Sequence, residues 1–185
     1  GLLSTYGGRT NVPVLFDDLV IISAIVIGWG DMAKPAHRFL AFDKNTGELI
    51  WFNGTRLLPY DTTYSTPSIS MLGGQAALIF GSGDGAVWAL QPRTGKPIWK
   101  YQFSRRGLNV SPLVIDEKVY AAHGEENIDD TTMGGLVCID PARDGPEGSA
   151  GEIDLTGSGE VWRVKEVMIG KSSPLLVDGT LVVVD

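Results

Sequence analysis

The amino-acid sequence predicts an all-β protein built from four-stranded antiparallel blades that are arranged radially as a β-propeller. Three observations carry this prediction: a two-hairpin unit recurs along the chain, each copy reuses similar turn residues, and a tryptophan ends each complete copy. The tryptophans are Trp51, Trp99 and Trp162, separated by 48 and 63 residues. Four short strands in a repeat of roughly 40 to 50 residues are typical of propeller blades. The apolar residues form short runs without a sustained helical stripe, which excludes a helical solenoid.

The first hairpin of each unit begins at a proline that is followed by three apolar residues and an aspartate. The three copies are Pro13–Asp17, Pro112–Asp116 and Pro174–Asp178. A second apolar run follows each copy, so Asp-Asp, Asp-Glu and Asp-Gly are predicted to occupy hairpin turns. A fourth copy opens at Pro67, and we expect Gly73-Gly74 to lengthen its turn.

The second hairpin of each unit carries a turn that ends in glycine. Phe39–Asp43, Lys44–Gly47 and Glu48–Trp51 are matched by Val87–Gln91, Pro92–Gly95 and Lys96–Trp99. The glycine supplies the positive φ that a bulged hairpin loop requires. In the third copy, residues 141–158 separate Leu136–Asp140 from Gly159–Trp162. Because this segment is rich in Gly, Asp and Glu, we expect a surface loop.

These units predict three complete blades and half of another. The predicted blades cover residues 13–54, 67–103 and 112–165, and the first hairpin of a further blade covers 174–185. Closed propellers have typically 4 to 8 blades. We therefore expect the remaining blades to come from a longer form of the same chain or from another chain.

The residues of the second hairpin carry a resemblance to a known family. Ala41, Asp43, Thr46, Gly47 and Trp51 match the AxDxxTGxxxW tryptophan-docking motif of pyrroloquinoline-quinone (PQQ) type propellers, position by position. The second copy has Gln91 in place of the aspartate, and the third has its ends separated by the insertion. The resemblance implies that each tryptophan packs between blades and that the Thr-Gly turn forms hydrogen bonds across the interface. The residues that receive this structural role are Asp43, Thr46, Gly47, Trp51, Thr94, Gly95, Trp99, Asp140 and Trp162.

Composition excludes several function classes. Lys and Arg number 15 against 22 Asp and Glu, a formal net charge of −7, which argues against a nucleic-acid partner. The most apolar stretch, residues 19–29, is too short to span a membrane as a helix. His37 and His123 are isolated from other metal-ligating residues, and the acidic segment 125–130 lacks the spacing of a calcium loop. We therefore predict no metal site and interpret the acidic segment as a solvated loop.

A candidate ligand site comes from the alignment of the repeats. The residues three positions before the aligned prolines are Thr10, Tyr64, Asn109 and Lys171. If the inner strands line the axis, these four residues form part of a polar ring at one channel mouth. Such a ring would bind a small ligand or another protein, or would hold water.

Two main functions are consistent with the resemblance. The first is a non-catalytic scaffold that binds other proteins or a ligand, as in the outer-membrane assembly lipoproteins that share this repeat. The second is a PQQ- and calcium-dependent dehydrogenase that oxidises alcohols or sugars. Family alcohol dehydrogenases often carry adjacent cysteines, whereas Cys138 is the only cysteine here. The motif also specifies blade packing rather than cofactor chemistry, so the scaffold is preferred and no cofactor is assigned.

A hydrolase or lyase site within 141–158 ranks last, because two isolated histidines form no nucleophile–base arrangement. The resemblance also implies export to the periplasm or the cell surface.

Overall fold

The computed structural model of the chain describes residues 12–25, 37–55 and 63–185. Within these ranges all of the regular secondary structure is β-strand, in fifteen strands. The described part of the chain contains no helix long and apolar enough to cross a membrane. The prediction of an all-β, blade-built fold is therefore confirmed.

Three sheets have the four antiparallel strands of a blade. Blade 1 contains β1 (Val14–Phe16), β2 (Leu19–Ile25), β3 (His37–Asp43) and β4 (Leu49–Gly54). Blade 2 contains β5 (Ser68–Leu72), β6 (Gln75–Gly81), β7 (Ala86–Leu90) and β8 (Pro97–Gln102). Blade 3 contains β9 (Leu113–Ile115), β10 (Lys118–Glu126), β11 (Met133–Ile139) and β13 (Glu160–Lys165). A final hairpin pairs β14 (Leu175–Val177) with β15 (Thr180–Val182), and β12 (Ile153–Asp154) lies beside β8.

The first hairpin of every blade has a two-residue turn, including the one that was expected to be longer. Leu72 pairs directly with Gln75, so Gly73 and Gly74 form the whole turn, with φ values of 55° and 78°. Positive φ at both turn residues is the geometry that matches the twist of the flanking strands. The prediction of a lengthened turn is wrong, because the two extra residues extend β5 to five residues.

The second hairpin of every blade is bulged at the same place. The register shifts after Ala41 in blade 1, after Ala89 in blade 2 and after Cys138 in blade 3. Gly47 and Gly95 end their turns with φ values of 75° and 70°. Each bulge leaves a tryptophan opposite a small residue: Trp51 faces Ala41, Trp99 faces Ala89 and Trp162 faces Cys138.

The apolar core lies between the sheets. One buried cluster joins blades 1 and 2, with Phe39 and Trp51 packed near Phe80 and Trp88. A second joins blades 2 and 3 around Trp99, and a third joins blade 3 to the final hairpin. Because each blade buries its faces against its neighbours, the side chains that hold the fold together are the same ones that set the blade spacing.

The insertion in blade 3 differs from the predicted surface loop. Its residues Ile153 and Asp154 form β12, which pairs in parallel with Trp99 and Lys100 on the outer strand of blade 2. Glu152 and Leu155, on either side, are fully buried. Lys100 Nζ lies 3.1 Å from Glu152 Oε1, which compensates the buried carboxylate. The insertion is therefore a strap that ties blade 3 to blade 2.

Candidate functional site

The strands place two kinds of loop at opposite ends of the blades. The turn end holds the hairpin turns, such as 73–74 and 91–95. The connection end holds the segments that lead into the next hairpin or blade, such as 82–85 and 103–112. The turns of the docking motif lie at the first end, and the described segments that carry the predicted polar ring lie at the second.

At the turn end, the tryptophan of blade 1 lies on the turn of blade 2. Trp51 Nε1 donates a hydrogen bond of 3.0 Å to the carbonyl oxygen of Pro92. Asn53 Nδ2 donates to the carbonyl of Gly95, and a Cβ at Gly95 would overlap the Trp51 ring. Only a residue without a side chain lets this turn approach the indole so closely.

The turn residues of the motif form local hydrogen bonds. Asp43 Oδ1 accepts from the backbone nitrogens of Asn45 and Thr46 at 2.7 and 2.8 Å, and these bonds lower the pKa of Asp43. Thr94 Oγ1 donates to Gln91 Oε1 at 2.9 Å and accepts from the Lys96 nitrogen at 3.3 Å. In the insertion-bearing copy, Asp140 Oδ1 accepts from the nitrogen of Ala142 at 3.1 Å. These side chains shape their own turns.

The three tryptophans differ in how fully they are covered. Trp51 is 9% exposed and Trp99 is 2% exposed, whereas Trp162 is 38% exposed and lies 5.9 Å from the ring of Tyr120. Trp51 and Trp99 each have a following blade against them, while only the hairpin β14–β15 follows blade 3 in the described chain.

At the connection end, the segments that precede the inner strands are joined from blade to blade. The nitrogen of Tyr64 donates to Asn109 Oδ1 at 3.2 Å, and that of Thr66 donates to Ser111 Oγ at 2.8 Å. The nitrogen of Ser111 in turn donates to Ser173 Oγ at 3.2 Å. Equivalent positions in successive repeats thus form a continuous polar ladder.

The structure therefore brings two of the predicted ring residues into direct contact. Tyr64 and Asn109 are half-buried, and Lys171 is exposed on the third segment, two residues before Ser173. Thr10 lies outside the described residues. The signal for the ladder was present in the sequence as a hydroxyl-bearing residue before each of three prolines: Thr66, Ser111 and Ser173. Ligand binding by this ring stays a prediction.

The acidic segment of blade 3 is ion-paired to Lys165 of the same blade and to Arg106 of the connection that precedes the blade. Lys165 Nζ lies 2.8 Å from Asp129 Oδ2 and 2.7 Å from Asp130 Oδ2, and these hydrogen bonds hold the pKa values of both carboxyls below their usual range. Arg106 Nε pairs with Glu126 Oε2 at 3.0 Å. Within ranges 12–25, 37–55 and 63–185, no group of three or more His, Cys, Asp or Glu residues is arranged to hold a metal ion. The carboxylates of Glu126, Asp129 and Asp130 thus already have cationic partners.

His123 is a packing residue between blades 2 and 3. It is 1% exposed, its ring meets the Phe103 ring edge-on at 4.4 Å, and its Nδ1 accepts from the Glu125 nitrogen at 3.1 Å. Burial lowers its pKa to about 4, because the charged ring loses its hydration. A neutral buried imidazole fits a structural role.

Sequence reasoning missed a polar network across the same interface. Tyr101 Oη donates to Glu160 Oε2 at 2.7 Å, and Arg163 Nη2 donates to Tyr101 Oη at 3.0 Å. Burial, followed by this bond to a carboxylate, raises the pKa of Tyr101 well above its usual value. The network links β8 of blade 2 to β13 of blade 3 and depends on the register of two blades, which the sequence does not reveal.

Solved structures similar to the chain include a quinohemoprotein enzyme, a BamB protein and a computational design. Quinohemoprotein alcohol dehydrogenase from Comamonas testosteroni is 19% identical, with a TM-score of 0.51 over 86% of this chain and 21% of that one. The computationally designed Ika8 protein is 13% identical, with a TM-score of 0.53 over 92% and 41% of the two chains. BamB from Moraxella catarrhalis is 16% identical, with a TM-score of 0.47 over 90% and 54%.

The chain thus spans between 21% and 54% of the length of these structures. At such identities, the similarity to the dehydrogenase and to the designed protein shows the fold alone. No curated protein matches the chain. The family model PQQ_2, described as outer membrane protein assembly factor BamB, matches residues 7–185. With a family match over nearly its whole length and the repeated blades described above, the chain belongs to this PQQ-like propeller family.

Proposed function

We propose that the chain is part of a non-catalytic β-propeller that binds another protein, or a small ligand, at its connection end. The observation that carries this proposal is the ladder from Tyr64 to Ser173, which fixes equivalent segments of successive blades to one another. A surface that is already ordered loses little conformational entropy on binding. The family description, which names an assembly factor, also supports a scaffold role.

The ladder leaves chemically varied groups for a partner. Its bonds at Tyr64 and Asn109 use a backbone nitrogen and one amide oxygen, so the phenol ring and the amide nitrogen are available for contacts. Lys171 adds an exposed ammonium group. An aromatic ring, an amide and a cation in one rim suit a polar protein surface or an anionic ligand.

The described residues favour packing over catalysis. His123 is buried as a neutral ring, and the acidic segment is ion-paired to Lys165 and Arg106. The dehydrogenase alternative receives no specific support from these residues, because their carboxylates already have cationic partners.

The propeller is proposed to include further blades, from the same polypeptide or from another chain. Leu15 and Phe52 are 69% and 57% exposed on blade 1, and Trp162 and Val164 are 38% and 47% exposed on blade 3. Between blades 1 and 2 and between blades 2 and 3, apolar sheet faces of this kind are covered by the neighbouring blade. We further propose that the propeller is exported to the periplasm or the cell surface, which agrees with the outer-membrane assembly role in the family description.

Site-specific photo-crosslinking tests the binding surface in cells that make the protein naturally. A benzophenone side chain at Tyr64 or Lys171 is expected to give one defined cross-linked protein, whereas the same probe at Asn45, on the turn end, is the matched control. Equal cross-linking at all three positions, or none at Tyr64 and Lys171 together with retained fold, would contradict a binding surface at the connection end.

A second measurement separates the two functions. PQQ and calcium are added to the purified protein, and the quinone absorbance and the reduction of a dye with alcohols or sugars are recorded. The scaffold proposal expects neither a stoichiometric quinone signal nor turnover. Tight quinone binding with dye reduction would overturn it.

A further inference from the structure

The turn that covers a tryptophan is built differently in blades 2 and 3, although both turns start alike. The nitrogen of Gln91 donates to the Lys96 carbonyl at 2.8 Å, and that of Asp140 donates to the Gly159 carbonyl, also at 2.8 Å. The next hydrogen bond is also the same in both turns. The nitrogen of Thr94 donates to the Gln91 carbonyl at 3.3 Å, and the nitrogen of Arg143 donates to the Asp140 carbonyl at 3.3 Å. Ala142 therefore occupies the place in blade 3 that Arg93 occupies in blade 2.

In the first interface, the half-exposed side chain of Arg93 reaches from the turn of blade 2 to blade 1. Its guanidinium bonds the carboxylates of Asp17 and Asp18 in the turn of blade 1. The same group lies over the Phe16 ring, 5.6 Å from its centroid. Arg93 and Gly95, which lies against the Trp51 indole, thus join the turn of blade 2 to blade 1.

In the second interface, the corresponding space is open. After Arg143 the chain departs into the strap, and a cavity of about 160 Å³ remains between blades 2 and 3. Its apolar lining includes Leu72, Ala77, Ile98, Trp99 and Ile153. Ala142, at the Arg93 position, lies at its edge. We call this space the Trp99 cavity.

The charges at the rim of the Trp99 cavity favour a cation. Its lining includes two carboxylates, Glu117 and Asp140, and one ammonium, Lys118. Asp140 already has two cationic partners, since its Oδ1 lies 3.4 Å from Lys118 Nζ and its Oδ2 lies 3.9 Å from Arg143 Nε. Glu117 Oε1 instead accepts a hydrogen bond of 3.2 Å from the backbone nitrogen of Gly73, and no cation of the described residues pairs with it. Gly73 holds in blade 2 the turn position that Asp17 holds in blade 1, so the Glu117 carboxylate lies beside the place that an acidic side chain occupies in the first interface.

From this comparison we propose that the Trp99 cavity binds an arginine side chain that a partner protein presents on a tight turn. The aliphatic part of the arginine packs on the apolar lining, and its guanidinium pairs with Glu117. The protein's own Arg93 shows an arginine at the equivalent turn position pairing with carboxylates and an aromatic ring of the neighbouring blade. A volume of about 160 Å³ suits one long side chain rather than a cofactor, because cofactor pockets are roughly 300 Å³ or larger.

This site lies at the turn end and is independent of the proposed binding surface at the connection end. Either proposal can fail without the other.

The test uses the whole 185-residue chain and a cyclic peptide, Gln-Pro-Arg-Thr-Gly-Lys, which copies the turn of blade 2. Titration is followed by the indole N–H resonance of Trp99 in ¹H–¹⁵N spectra, with the Trp51 indole resonance as a measure of intact fold. The same peptide with norleucine in place of arginine is the ligand control. The protein variants are Ala142→Arg, which fills the cavity from within, and Glu117→Gln, which removes the carboxylate. Ala150→Arg, which adds the same charge elsewhere on the insertion, is the matched protein control.

We expect saturable shifts at Trp99 with the arginine peptide in the wild type and in Ala150→Arg. Ala142→Arg should abolish them, and Glu117→Gln should weaken binding by about tenfold, the effect of losing one charged hydrogen bond. The absence of a Trp99 shift at millimolar peptide would overturn the proposal. Equal binding of the norleucine peptide, or unchanged binding by Glu117→Gln with an unchanged Trp51 signal, would also overturn it.

Discussion

The interface between blades 1 and 2 and the interface between blades 2 and 3 bury equivalent tryptophans in different ways. Trp51 is covered by a glycine turn that accepts its N–H, whereas the strand that carries Trp99 is flanked by a strap from blade 3. Two residues further along the outer strands, Asn53 bonds the Gly95 carbonyl while Tyr101 bonds Glu160. The repeat therefore conserves the position of the indole and of the bulge beside it, whereas the residues that the next blade packs against the indole differ between the two interfaces.

The largest expected effect comes from removing the better-covered indole. Replacement of Trp99 by alanine should lower the free energy of unfolding by about 4 kcal/mol, because a buried ring leaves a cavity that its neighbours fill only in part. Trp162→Ala is the internal control and should cost only about 1–2 kcal/mol, since 38% of Trp162 is already exposed. Chemical denaturation of the two variants gives both values, and equal losses would contradict a distinction based on blade coverage.

Acid should weaken the second interface through His123. Its pKa is about 4 in the folded chain and near 6.5 when unfolded, so the unfolded chain gains the proton first as the pH falls. The stability is therefore complete above pH 6.5 and should decrease by about 3 kcal/mol between pH 6.5 and 4. Lowering the pH further should produce no additional loss from this group.

Unfolding curves measured across this pH range for the wild type and for His123→Leu check the prediction. The variant should lose the dependence between pH 6.5 and 5. Below about pH 5 both proteins should lose stability, because carboxylates such as Asp129 have a lowered pKa in the folded chain and are protonated first in the unfolded chain. A wild type with constant stability from pH 6.5 to 4 would contradict the assignment.

A smaller effect is expected from the phenol of Tyr101. Tyr101→Phe removes the hydrogen bond to Glu160 but leaves the Arg163–Glu160 ion pair, at 2.7 Å, in place. The loss should be about 1–2 kcal/mol, the usual cost of one hydrogen bond to a charged group. A double-mutant cycle with Glu160→Gln should show coupling between the two positions, and strictly additive effects would contradict the network across blades 2 and 3.

The sequence predicted the parts of this fold that local chemistry determines. Aspartate and glycine mark the hairpin turns, because few other residues adopt positive φ at low cost. The tryptophan at the end of each unit indicates the length of the repeat. The candidate ring could be chosen from the repeat alignment, because equivalent positions in stacked blades face the same end.

Contacts between distant segments could not be predicted in this way. The strap contributes only Ile153 and Asp154 to a strand, and their partners lie more than fifty residues earlier. Local periodicity in the sequence therefore does not predict the pairing. The Trp99 cavity exists because the chain of blade 3 leaves the turn after Arg143 and has Ala142 where blade 2 has Arg93. This difference is recognised only when the turns of blades 2 and 3 are compared in the structure. Such features depend on how neighbouring blades are positioned against each other. Because several sequences are compatible with one such arrangement, the sequence alone does not determine it.

The most direct test of the account is a comparison of Gly95→Ala with Gly47→Ala. Both glycines end the same kind of turn, with φ values of 70° and 75°, so alanine carries the same backbone cost of about 1–2 kcal/mol at each. Only Gly95 lies against an indole, whereas a Cβ at Gly47 would meet no atom within 4 Å. If Trp51 docks on the turn of blade 2, Gly95→Ala should be less stable than Gly47→Ala by at least about 2 kcal/mol. Equal stabilities would contradict tryptophan docking as the contact that joins blades 1 and 2.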